Sequence, residues 1–197
     1  MIFLRFLSAV ALLLIFQGVT FKEKPPTPTV NETCVSTEEM KLYNLIMEYR
    51  KQKKLPKISL SKSLTFVAQT HCKDLSENNL IKGDCNAHSW SNKGKWTSCC
   101  YTPDHKQKDC MWNKPKELTK YSDTGYEIAY YYSAGAKADQ ALSSWKTSKG
   151  HNALIINNTT WKDFKWNAIG VGIYKNYATV WFGVEPDAEG EAGKCTP

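Results

Sequence analysis

The sequence predicts an α/β domain braced by disulfides, on three observations. Amphipathic helix patterns fill the first third, two period-two runs joined by a two-residue link lie near the end, and seven cysteines follow an N-terminal segment built like an export leader. Met1 to about Thr20 hold one early base, Arg5, then the apolar run Leu7 to Phe16, then small residues from Gly18 to Thr20. That is the layout of a secretory signal peptide. The run is shorter than the roughly 18 to 20 residues a membrane span needs, and no second segment is apolar enough to span. Removing residues 1–20 leaves about 175 residues, which suits one domain with its own core. The expected product is secreted and extracellular.

The net charge of +7 comes from bases scattered among acids and aromatics. Such a balance gives a soluble surface with some attraction to anionic polymers or membranes, and an exported chain without a basic arm is no nucleic-acid binder. Export makes disulfides the default state for Cys34, Cys72, Cys85, Cys99, Cys100, Cys110 and Cys195. No Cys-x-x-Cys occurs, so no zinc ribbon is present. Six cysteines make three bridges and one is left over; the expected set is Cys72 with Cys85, Cys110 with one of Cys99 and Cys100, and Cys34 with Cys195.

Residues 21–35 carry Pro25, Pro26 and Pro28 among lysines and threonines and read as an extended lead-in. Asn31-Glu-Thr, Asn157-Asn-Thr and Asn158-Thr-Thr are glycosylation acceptors in a eukaryotic secretory pathway. The domain proper is expected over 36–186. Ser36 with Glu39 forms a capping box, and Leu42, Ile46 and Tyr49 make the apolar stripe of a first helix, ended before Pro56. Ser61 caps a second helix whose Leu64, Val67, Ala68, His71 and Leu75 share one face. His71 on that stripe reads as a core histidine with its polar nitrogen satisfied by a backbone group.

From Gly83 to Pro115 periodicity fades, and tryptophans (Trp90, Trp96, Trp112) mix with four cysteines, His88 and His105. This reads as an irregular excursion pinned by bridges that walls a cleft, with His105 a solvated loop residue. Glu127 sits in the aromatic run Tyr126 to Tyr132. A buried carboxylate there needs a cationic, metal or multiple hydrogen-bonding partner. Ala138, Ala141, Leu142 and Trp145 make a short helix, with Gly150 read as its end or a turn that delivers His151 to an edge. Ile169, Val171 and Ile173 alternate with Gly170 and Gly172, Lys175-Asn176 makes the link, and Ala178, Val180, Phe182 and Val184 return as the second strand. The two glycines allow a helix to pack close. Residues 187–197 form an acidic, glycine-rich tail, anchored if Cys195 is bridged.

The order Leu55-Pro56, Leu60-Ser61, Leu64, Ala68 and His71, then His88-Ser89, Gly125-x-Glu127-Ile128, and Trp145 before Gly150-His151 resembles the CAP superfamily of cysteine-rich secretory proteins, antigen five allergens and pathogenesis-related plant proteins. The resemblance covers about 36–186. It implies an α/β/α sandwich with a central antiparallel sheet and a large cleft. In that cleft two histidines, here His88 and His151, hold a divalent metal such as zinc, with Glu127 as the neighbouring acid. The family's Gly-Glu-Asn is altered here, since Tyr126 follows the glycine and Ile128 the acid, and Ser148 stands where the second acid usually falls. A zinc site takes about four ligands, or three and water, so the cleft network of His88, Glu127, His151 and Ser148 is expected to hold a cation only weakly. Two functions are carried forward. One is a noncatalytic secreted binding module for a lipid or sterol, a glycan or a surface partner; the other is a metal-dependent hydrolase with Glu127 as general base.

Overall fold

The computed structural model describes residues 29–196; the expected leader and most of the lead-in lie outside the described residues. In chain order the elements are β1 (Cys34–Val35), α1 (Thr37–Gln52), β2 (Ser59–Leu60), α2 (Lys62–Asn78), α3 (Lys108–Trp112), α4 (Lys114–Leu118), β3 (Gly125–Tyr131), α5 (Ala138–Thr147), α6 (Lys149–Ile155), β4 (Ala168–Tyr174), β5 (Tyr177–Gly183) and β6 (Gly193–Lys194). Both early helices start where the capping residues predict: Ser36 Oγ accepts from Glu39 N–H, with Glu39 reaching back to the Ser36 N–H, and Ser61 Oγ accepts from Leu64 N–H.

The main sheet has the order β2-β4-β5-β3, so β3 is an edge strand. β5 pairs antiparallel with both β4 and β3, whereas the two-residue β2 runs parallel to β4. The sheet is therefore mixed, not wholly antiparallel, because β2 reaches β4 from a distant helical connection and not through a hairpin. Period-two alternation sorts the two faces. Ile169, Val171, Val180, Phe182 and Ile128 join α1 and α5 in one core, while Trp181 and Ala168 join Leu64, Val67 and Ala68 of α2 in the other. Helices cover both faces, which is the expected α/β/α sandwich.

Gly170 and Gly172 lie on the α2 face. A Cβ on Gly170 would stand 2.0 Å from the Leu64 carbonyl carbon, and one on Gly172 would stand 2.4 Å from that of Ala68. Glycine is what lets the helix backbone touch the sheet backbone.

The segment after Pro186 is stitched into the domain. Asp187 accepts from Ser61 Oγ, Ser63 N–H and Ser63 Oγ at 2.6 to 2.9 Å at the head of α2, and β6 lies parallel beside β1. Cys34 and Cys195 are bridged as expected. Cys99–Cys110 is the second bridge and Cys85–Cys100 the third, together bracing the 83–115 excursion. The expected Cys72–Cys85 bridge does not form. Cys72 lies one turn beyond Ala68 on the buried face of α2, where its thiol donates to the Gly172 carbonyl at 3.2 Å. Burial raises its pKa well above the ordinary thiol value. Thiol titration should find one free thiol per chain in denaturant and essentially none in the native protein. Rapid labelling of the native chain would show that α2 does not cover Cys72 as described.

Gly150 does not end a helix: Ser148 caps α6, and Gly150 and His151 are its second and third residues. The short break after Thr147 redirects the chain, so the helix restarts instead of ending in a turn. Of the overlapping sequons, Asn157 is engaged by Arg50 Nη1 and by the Trp161 and Phe164 carbonyls, whereas Asn158 is exposed.

Candidate functional site

Each element delivers one polar group to the same place. His71 faces the sheet from α2 because it falls on the stripe of Leu64, Val67 and Leu75. Glu127 lies opposite Trp181 on β3, hence on the α2 face of the sheet. His88 comes from the excursion, where its N–H donates to Asn86 Oδ1 at 3.0 Å and its ring packs edge-on to Tyr101. His151 rides on α6, which is held by Tyr49 donating to Asn152 Oδ1 and by Arg50 Nη1 donating to the Ile155 carbonyl.

Glu127 is buried, and an imidazole engages each of its oxygens. His71 Nδ1 lies 2.5 Å from Oε1, and His88 Nδ1 lies 2.7 Å from Oε2. This meets the expectation that a carboxylate in that aromatic run must be paired. His71 Nε2 donates to the Ser89 carbonyl at 2.9 Å, the backbone partner foreseen for a core histidine. Its second nitrogen, on Glu127, makes it part of the site, which the reading from spacing alone missed.

Burial works against the charged form of His71, but the Glu127 carboxylate outweighs it and raises the ring's pKa. In turn burial pushes Glu127 up, while His71 and then His88 pull it down further, leaving it below its ordinary value. With a carboxylate at Oε2, His88 Nδ1 is the donor of that hydrogen bond, and only in the neutral ring is Nε2 then an acceptor. Behind the pair, Trp90 stacks on His71 with centroids 4.2 Å apart and planes 7° from parallel, and the buried Lys114 ammonium sits 5.4 Å from the Trp90 centroid.

His88, Glu127 and His151 all line one cavity of about 560 Å³, walled by Trp112, Tyr126, Trp161 and Phe164. His151 has no hydrogen-bonding partner among the described residues; burial, and then His88, lower its pKa against the opposing pull of Glu127. His105, expected as a solvated loop residue, is exposed, lines the same cavity and meets the Tyr101 hydroxyl at 3.0 Å. Ser148 is not among the lining residues; it stands at the α5–α6 break.

The donor set decides what cation this site fits. Glu127 has both oxygens occupied by imidazoles, and among the described residues no group of three or more His, Cys, Asp or Glu side chains is arranged to hold a metal. Glu127 lies behind the His88 ring, and among the described residues the side chains do not form a closed four-ligand cage.

Fold and site together define a disulfide-braced α/β/α domain with a histidine–carboxylate cluster at the base of an aromatic cavity. The family model of the cysteine-rich secretory proteins, the CAP domain, matches residues 43–184. The chain belongs to that family. Among solved structures it is similar to an extracellular SCP-domain protein of Bacillus anthracis, at 17% identity and a TM-score of 0.53 over 75% of this chain and 40% of that one. It is also similar to an outer surface protein of Borrelia burgdorferi, at 20% identity and a TM-score of 0.51 over 75% of this chain and 92% of that one. These likenesses concern the fold. The chain thus spans less than half of the Bacillus protein. No curated protein matches the sequence. Among the described residues no helix is long and apolar enough to cross a membrane.

Proposed function

We propose that this CAP-domain protein is a secreted, noncatalytic binding module that takes an apolar ligand of the lipid or sterol class in its aromatic cavity. The observation that carries this reading is the cavity itself: about 560 Å³, walled largely by rings, methionine, isoleucine and leucine, with His88, Glu127 and His151 among its few polar groups. A concave apolar pocket with few convergent polar groups is the usual form of a small-molecule site. Extracellular placement is carried over from the neighbours, described as extracellular and outer surface proteins, and agrees with three bridges in the chain. Glycans and surface partners are the competing ligands.

A divalent cation such as zinc is assigned to His88 and His151. Support comes from His88 Nδ1 donating to Glu127, which orients the ring and leaves Nε2 outside that bond, the arrangement common to metal-bound histidines. The cation would supply Lewis acidity when bound; the chain's own residues orient one imidazole and, by burial, disfavour the charged form of the other.

The hydrolase alternative finds little support. Ser148 lies off the cavity, Cys72 is buried and the remaining cysteines are bridged, and Glu127, the general base that alternative needs, already has an imidazole at each oxygen. The test is titration with a fluorescent sterol and a fatty-acid series, followed by zinc calorimetry. Trp161→Ala should weaken ligand binding at least about tenfold, roughly 1.4 kcal/mol. His88→Ala with His151→Ala should remove zinc binding and leave the ligand in place. No saturable ligand, or ester turnover abolished by Glu127→Gln, would overturn the proposal.

A further inference from the structure

A second concave surface lies along α1, well away in sequence from the cluster around Glu127. α1 turns Leu42, Ile46 and Tyr49 inward, and its opposite side lines an open groove of about 900 Å³. Met40, Leu45, Met47 and Leu55 give the groove an apolar floor; all are half-buried. Lys41, Lys51, Lys57 and Lys194 stand exposed around it, against the single acid Glu48. Lys41 is shared by Glu38 and Asp139, whereas Lys51, Lys57 and Lys194 have no ion-pair partner among the described residues. From Thr37 to Lys51 the groove follows about 21 Å of helix at 1.5 Å per residue, close to four turns.

We infer that this groove docks an acidic amphipathic helix of a partner protein. Charge selects the sign: the groove's free cations, on a chain of net charge +7, repel a second copy and attract an acidic segment. Residues 21–28, with Lys22 and Lys24 against Glu23, have the wrong sign to fill it. Shape selects a helix over a membrane. A flat bilayer would meet the exposed lysine tips and leave the recessed floor uncovered, whereas an apolar stripe at spacings of three and four reaches between the lysines. Two methionines in the floor let it adapt to the stripe it receives.

The probe is a fluorescein-labelled peptide of about 18 residues, long enough for the groove, with leucine at every third or fourth position and glutamate elsewhere. Fluorescence anisotropy with the full chain should show saturable binding in the micromolar range that weakens with salt. Lys51→Glu with Lys57→Glu should weaken it at least about tenfold, with circular dichroism confirming the fold. Met40→Ala with Leu45→Ala should weaken it while leaving the salt dependence intact. The inference is overturned if a scrambled peptide of the same composition binds equally, if a lysine-for-glutamate peptide binds equally, or if the acidic peptide fails to saturate. Binding to phosphatidylglycerol vesicles without binding to the peptide would also overturn it, and would assign the groove to a lipid surface.

Discussion

Glu127→Leu should lower the unfolding free energy by about 3 to 5 kcal/mol, the cost of leaving one partner of a buried charged pair alone. His71 Nδ1 would face a leucine, fully buried and stacked under Trp90, and His88 would lose the contact that sets its tautomer. Equilibrium urea denaturation checks the magnitude, and His71→Phe with Glu127→Leu should recover part of the loss because no buried charge is then orphaned. A single-variant loss below about 1 kcal/mol, typical of an exposed pair, would mean that water reaches the carboxylate.

The same pair predicts a pH window. Glu127 is lowered in the folded state from 4.5, so its contribution is present above that value and is lost as pH falls through the lowered one. His71 is raised from 6.5, so its contribution is full below 6.5 and is lost as pH rises through the raised value. Both operate between 4.5 and 6.5, and Glu127→Leu should flatten the acid limb of wild-type stability below 4.5. An acid limb as steep in the variant as in the wild type would place the sensitive carboxylate elsewhere.

Gly170→Ala should be the most damaging single-carbon addition in the sheet. The new Cβ would lie 2.0 Å from Leu64 C and 2.3 Å from Leu64 O and Thr65 N, all backbone atoms of the first turn of α2. No side-chain rotation relieves that contact, so the helix must lift from β4, at a cost of about 3 kcal/mol or more. Gly150→Ala is the matched control, since nothing lies within 4 Å of a Cβ there. A Gly170→Ala midpoint within experimental error of wild type would show that α2 and β4 are less tightly apposed than described.

Much of this was legible in the residues because it is local. Capping at Ser36 and Ser61, the inward stripes of α1 and α2, and the β4–β5 hairpin each follow from a spacing, and Gly170 with Gly172 announced a close helix. The need of Glu127 for a cationic, metal or multiple hydrogen-bonding partner was readable from its aromatic neighbours, and His88 and His151 were named from their motifs. The partner that carries the pairing, His71, was not: its helical offset is equally that of a packing residue, and a distance to β3 is no property of α2 alone. Cys72 failed for a related reason, since sequence proximity to Cys85 conceals that one faces the sheet and the other belongs to the excursion.

By itself the sequence determined a helix–sheet domain with spare sulfur for bridges, a family likeness, and a carboxylate, Glu127, that needed a partner. Only tertiary structure decided which nitrogen meets which oxygen, which cysteine stays reduced, and that Ser148 stands off the cavity. The physical reason is range. Propensity, capping and periodicity act over a few residues, whereas the charge state of Glu127 is set by imidazoles 56 and 39 positions away in the chain, one brought to it by α2 closing on the sheet and the other by the bridged excursion.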